Sequence, residues 1–161
     1  MKKLLALSFF PAFLPPRSGG EVRLFALYNA LSQTHRVVLL TSGHVGGEVE
    51  TLQHNANFRE VRVPKGPEFA QKWAELQEHA GSGDLSAPCL AALAGTLSEL
   101  HRHYLLEYPD SDVIIHDSPF LSGYDVFMGF DNKPRIYNSY NVEIDVYRQI
   151  HKEAVSSKIL D

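Results

Sequence analysis

The chain has 161 residues, of which 44% are hydrophobic and 21% charged, the usage of an ordinary globular domain with apolar material for one real core. A net charge of −4 and a pI near 6.0 supply no broad basic field, which argues against nucleic acid as a partner. The single cysteine, Cys89, excludes an internal disulfide framework and a cysteine-based zinc site; it fits a reducing cytoplasm, where it serves as a small packed hydrophobe.

The N-terminal "MKKLLALSFFPAFL" combines a positive start with a short apolar run, so it competes between a secretory signal cleaved after residue 14 and a buried first strand, Lys3 to Phe10. No small-x-small cleavage site follows; Pro15, Pro16 and Arg17 do. The strand reading is favoured because later segments supply its partners. No other apolar run approaches the roughly 18 residues of a spanning helix, so a soluble protein is expected.

After the first strand, Leu24, Leu27, Tyr28 and Leu31 recur at helical spacing. His35 to Thr41 is a second strand, ended by Ser42-Gly43, and Phe58 to Val63 a weaker third, ended by Pro64, with a polar connection between them. Pro67 opens a helix whose Phe69, Trp73, Leu76 and Ala80 share a face until Gly81-Ser82-Gly83. Ser86 is then expected to cap one long helix carrying Leu90, Leu93, Leu97, Leu100 and Tyr104, stopped at Tyr108-Pro109-Asp110. Val113 to Ile115 and Arg135 to Ser139 are further strands, and Ile144, Tyr147, Ile150 and Ala154 mark a last helix. Strands alternating with helices of this length imply an α/β, Rossmann-like three-layer domain with a mostly parallel sheet.

Such sheets bind ligands beyond the carboxyl ends of their strands. There, Gly19 and Gly20 stand where the first helix begins. A helix start offers unpaired N–H groups and partial positive charge, so two residues without side chains suit an anion such as phosphate; they equally suit a tight turn, and spacing does not separate the two readings. The pair belongs to neither a G-x-G-x-x-G nor a P-loop pattern. The second cluster, Gly43 to Gly47, leads into Glu48 and Glu50, which repel an anion, so a turn is preferred. His101 and His103 diverge on a helix and are expected to be solvated; no ligand set for a metal assembles around them. His116-Asp117 ends a buried strand, either as a titratable pair facing the crevice or as a turn cap with a packed histidine. No G-x-S-x-G elbow supports a serine nucleophile.

The stretch "PPRSGGEVRLFALYNALSQTHRVVLLTSG" resembles the opening of glycosyltransferase family 4, two-domain GT-B enzymes in which a Gly-Gly pair begins the first helix. A basic residue three positions on (here Arg23) and a His-Arg-Val strand (His35 to Val37) fit the same pattern. "SDVIIHDSPF" is similar to that family's fourth-strand region, and "PRIYNSYNVEIDVYRQ" to its strand ending in a His-Asn-x-Glu type motif. Here Tyr140 replaces the histidine, ahead of Asn141 and Glu143; tyrosine can still hydrogen-bond but does not titrate near neutrality.

The resemblance implies the N-terminal, acceptor-side half of a GT-B glycosyltransferase, with the C-terminal nucleotide-sugar-binding domain absent from these 161 residues and the isolated half inactive. Gly19 and Gly20 would face a donor phosphate, while Arg23, His116, Asp117, Tyr140, Asn141 and Glu143 would line the sugar and acceptor crevice. No metal or other cofactor is expected. The implied partners are a nucleotide-sugar donor, a hydroxyl acceptor and the second domain; peripheral association with a membrane stays open. The alternative is a Rossmann-like, non-catalytic domain that binds or senses a phosphorylated small molecule.

Overall fold

The computed structural model of the protein describes residues 1–12, 18–80, 85–94, 96–128 and 131–139. Its frame is a six-stranded sheet: β1 (Lys3–Ser8), β2 (Arg36–Val45), β3 (Glu50–Asn55), β4 (Phe58–Lys65), β5 (Val113–His116) and β6 (Arg135–Tyr137), in the spatial order β3-β4-β2-β1-β5-β6. All neighbouring pairs are parallel except β3 with β4. β1 is central, hydrogen-bonded to β2 on one side and β5 on the other, which is why its apolar run is unbroken rather than alternating.

Alternation along each strand divides two cores. Leu5, Leu7, Val38, Leu40, Val61 and Val63 project to the face covered by helices α2 (Pro67–Ala80), α3 (Ser86–Leu93) and α4 (Glu99–Glu107) and by a 3₁₀ segment, Pro119–Met128. Leu4, Ala6, Val37, Leu39 and Phe58 project to the opposite face, where Leu24 and Tyr28 of helix α1 (Gly19–Leu31) meet them. The expected three-layer α/β domain with a mostly parallel sheet is therefore present.

Three local expectations are corrected. The polar connection before the third expected strand is partly a strand, β3, antiparallel to β4; at the edge of the sheet its residues are exposed or half-buried, so "ETLQHN" shows no apolar pattern. The single long helix after Ser86 is two: α3 ends at Leu93, and Ser98 caps α4 by accepting from the His101 amide at 3.3 Å. Ser86 is the first residue of α3, whose N-cap position is Leu85, and Leu97, which continues the apolar stripe in sequence, is exposed. His101, expected in solvent, is fully buried against Tyr104 and Tyr124, with Nδ1 2.9 Å from the Thr96 carbonyl oxygen.

The order of strands also locates a crevice. From β1 the chain passes through α1 to β2; from β5 it passes to β6 on the other side. The two connections part at the carboxyl ends of β1 and β5, the switch point at which open α/β sheets bind ligands.

Leu39 is fully buried between β1 and β4, whereas Leu106 is 71% exposed. Leu39→Ala is expected to cost about 2–5 kcal/mol in urea denaturation, while Leu106→Ala should change stability by less than about 0.5 kcal/mol.

Candidate functional site: a polar crevice at the carboxyl ends of β1, β5 and β6

Gly19 and Gly20 form the first residues of α1, directly after the N-cap Ser18, whose Oγ accepts from the Glu21 amide at 3.3 Å. The Val22 amide bonds the Ser18 carbonyl at 3.0 Å, so the intrahelical ladder begins there. No described residue accepts a hydrogen bond from the Gly19 or Gly20 amide, which leaves two of the donors that every helix start presents. Neither glycine has positive φ, so the tight-turn explanation is not required at this pair; that requirement sits at Gly46 and Gly47, with φ of 73° and 97°, in the turn between β2 and β3. The two positions differ in space. A Cβ on Gly20 would lie 3.2 Å from the Phe10 ring, but a Cβ on Gly19 would meet none of the described residues within 4 Å.

His116 and Asp117 come at the end of β5, but strand alternation sends them apart. His116 shares the parity of Ile114 and turns to the 3₁₀ face, where its Nε2 lies 2.7 Å from Asp125 Oδ2. An ionised carboxylate only accepts, so Nε2 carries a proton; among the described residues nothing bonds the buried Nδ1. Asp117 shares the parity of Ile115 and turns to the α1 face. Its Oδ2 accepts from Tyr28 Oη at 2.6 Å and its Oδ1 from Asn138 Nδ2 at 2.5 Å. The two are thus neither a mutual pair nor a turn cap; Ser118 performs the capping, accepting from the Phe120 amide at 3.3 Å.

Burial raises the Asp117 carboxyl to about 6, against the hydrogen bonds from Tyr28 and Asn138 that favour its charged form. Asn138 in turn accepts from Arg23 Nη2 at 3.0 Å, and the same nitrogen donates to the Ser139 carbonyl at 2.8 Å. Arg23, one helical turn beyond the glycines, therefore ties α1 to the chain leaving β6.

The opposite wall is a second network. His116, Asp125, Arg135, Tyr137, Pro119 and Ser122 line a cleft of about 390 Å³ beside β6. Arg135 approaches Asp125 at 3.4 Å, donates to Tyr108 Oη at 2.6 Å and also engages Asp131. Burial pushes the Asp125 carboxyl up, but hydrogen bonds from His116, Tyr104 and Arg135 outweigh it and hold the group below the usual range. Asp131 is held down at about 2 by hydrogen bonds from Tyr108 and Arg135.

Gly19, Gly20, Arg23, His116 and Asp117 are thus brought to one edge of the sheet; Tyr140, Asn141 and Glu143, with the last expected helix, lie outside the described residues. Sequence reasoning passed over Tyr28, Asp125, Arg135 and Asn138. Tyr28 carried a signal only as a core residue, and Asp125 lies in a 3₁₀ segment that the sequence pattern did not mark as an element. Among the described residues no group of three His, Cys, Asp or Glu side chains is arranged to hold a metal, and no helix is long and apolar enough to cross a membrane.

No family model and no curated protein sequence matches the chain. Solved structures do. Sucrose-phosphate synthase from Thermosynechococcus elongatus superposes with a TM-score of 0.58 at 13% identity over 99% of this chain, and a trehalose-6-phosphate synthase with a TM-score of 0.55 at 13% identity over 84%. The chain spans 39% and 33% of those two proteins respectively. The likeness shows the fold: a Rossmann-like domain of the kind found in GT-B glycosyltransferases.

Because the Asp117 carboxyl is raised from 3.8 to about 6, the native state binds the extra proton in this window. The stabilising contribution is complete below the unfolded value and is lost as pH rises through about 6. Relative to Asp117→Asn, the wild type should therefore lose about 2 kcal/mol between pH 4 and 6.5 in urea denaturation. A difference between the two proteins that does not change with pH would contradict the assignment.

Proposed function

We propose that this chain is the acceptor-side domain of a nucleotide-sugar-dependent glycosyltransferase in which Gly19 and Gly20 face the donor diphosphate. The observation that carries the reading is the open first turn of α1: two amides without acceptors among the described residues and an empty approach at Gly19, at the β1/β5 switch point of a GT-B-like domain. As the glycosyl bond breaks, negative charge develops on the diphosphate leaving group. Fixed N–H dipoles at a helix start stabilise that charge without reorganising, and among the described residues no side chain stands within 4 Å of a Cβ placed on Gly19.

The remaining residues divide by direction. Arg23 and Asn138 border the approach to the glycines. His116, beside the cleft with Asp125 and Arg135, is assigned to the sugar or acceptor wall, together with Tyr140, Asn141 and Glu143. Asp117, fully buried, shapes that wall through Tyr28 and Asn138 instead of touching a ligand. The reaction requires a second, donor-binding domain to close over this one and complete the site. No metal is assigned a part. The names of the two structural neighbours make hexose phosphates reasonable first acceptors to try.

The test uses the intact protein with UDP-glucose, ADP-glucose and GDP-mannose as donors and glucose 6-phosphate and fructose 6-phosphate as acceptors. Gly19→Val should lower kcat/KM by roughly 100-fold or more while moving Tm by less than about 4 °C. Unchanged turnover in that variant would contradict the reading. Residues 1–161 alone should fold and transfer nothing; sugar transfer by them would contradict the need for a second domain. Saturable binding of a phosphosugar with domain stabilisation but no transfer would favour a non-catalytic binding domain.

A further inference from the structure

Glu60 has no place in the site described above, yet it is a fully buried carboxylate in the middle of β4, on the face that looks toward α1. Its Oε1 accepts from the Ala12 amide at 2.9 Å, from Thr41 Oγ1 at 3.2 Å and from Arg62 Nε at 3.1 Å. Its Oε2 accepts from Arg62 Nη2 at 3.2 Å and pairs with His54 Nε2 at 2.8 Å. The same Arg62 nitrogen donates to the Ala12 carbonyl at 3.2 Å. Both backbone groups of Ala12, itself buried, are therefore met by side chains of a strand two places away in the sheet.

A buried ion pair is not there for stability in any obvious way, since apolar replacements of similar volume are often neutral or stabilising. What this one does is geometric. Ala12 belongs to the connection between β1 and α1, and an unpaired N–H and C=O at a buried position would otherwise each carry a desolvation cost. Glu60 and Arg62 accept and donate at just those two groups, from a backbone locked into the β2–β4 register of Leu39 with Glu60 and Thr41 with Arg62. Ala12 is therefore held at one position above the sheet.

We propose that Glu60 and Arg62 are positioning residues that clamp the β1–α1 connection and so set where Gly19 and Gly20 stand in the crevice. The functional half of this statement rests on the glycosyltransferase reading; the geometric half does not. In the intact protein, amide hydrogen exchange at Ala12, Glu21 and Val22, whose amides are bonded to Glu60 and Ser18, should quicken by roughly tenfold or more in Glu60→Gln. Thr41→Val, which removes another Glu60 partner but leaves both Ala12 bonds, should leave these amides close to wild type. Arg62→Met repeats the test if Glu60→Gln fails to fold.

With whichever of the three nucleotide sugars the wild type turns over, Glu60→Gln should raise the donor KM by about tenfold while Thr41→Val does not. Unaltered exchange at Ala12 overturns the clamp whatever the kinetics; altered exchange with unaltered donor KM overturns its role in positioning the glycines. If no donor is turned over, or if Gly19→Val is fully active, the glycosyltransferase reading fails, and exchange at Ala12 still decides the clamp.

Discussion

Everything in this domain is arranged around a strand that is buried on both faces and bonded along both edges. β1 gives Leu4 and Ala6 to one core and Leu5 and Leu7 to the other, in register with Val37 to Leu40 of β2 on one side and Val113 to His116 of β5 on the other. A strand in that position cannot be followed by a chain that stays in the plane of the sheet. It has to climb over the carboxyl edge and return as a helix, and the same edge must let β5 depart in the opposite direction. The crevice is thus a consequence of topology, and its residues are those that the two departures carry there.

Alternation then sorts the chemistry. Consecutive residues at a strand end project to opposite faces, so His116 joins Asp125 and Arg135 beneath the 3₁₀ segment while Asp117 joins Tyr28 and Asn138 beneath α1. The first network holds its carboxylates ionised with cationic and hydroxyl donors; the second holds a carboxyl whose burial outweighs its hydrogen bonds and raises its affinity for a proton. Between them lies the start of α1, where two amides have no acceptor and Gly19 has no neighbour within 4 Å of a Cβ among the described residues.

Much of this frame could be read from residue patterns because β1, β2, β5 and α1 are specified by burial, which sequence records directly in runs such as "LLAL" and "VIIH" and in the Leu24, Tyr28 spacing. Edge and capping features were harder. β3 is polar because it lies at a sheet edge, and the break between α3 and α4 rests on Ser98, which an apolar repeat through Leu97 disguised. For the site, position was legible and direction was not. The pairing of His116 with Asp125, nine residues on, and of Asp117 with Tyr28, 89 residues back, arises only once the sheet is assembled. Glu60 was less legible still: a charge inside "FREVRV" resembles an exposed strand position, whereas folding turns it inward against Ala12.

The central claim is that the first turn of α1 receives an anionic ligand. It is tested most directly by following the backbone amide resonances of the intact protein while UDP is added. Saturable shifts concentrated at Gly19, Gly20 and Glu21 are expected, and they should be lost in Gly19→Val. Saturable shifts elsewhere, such as at Gly46 and Gly47, with the Gly19 and Gly20 amides unmoved, would contradict it.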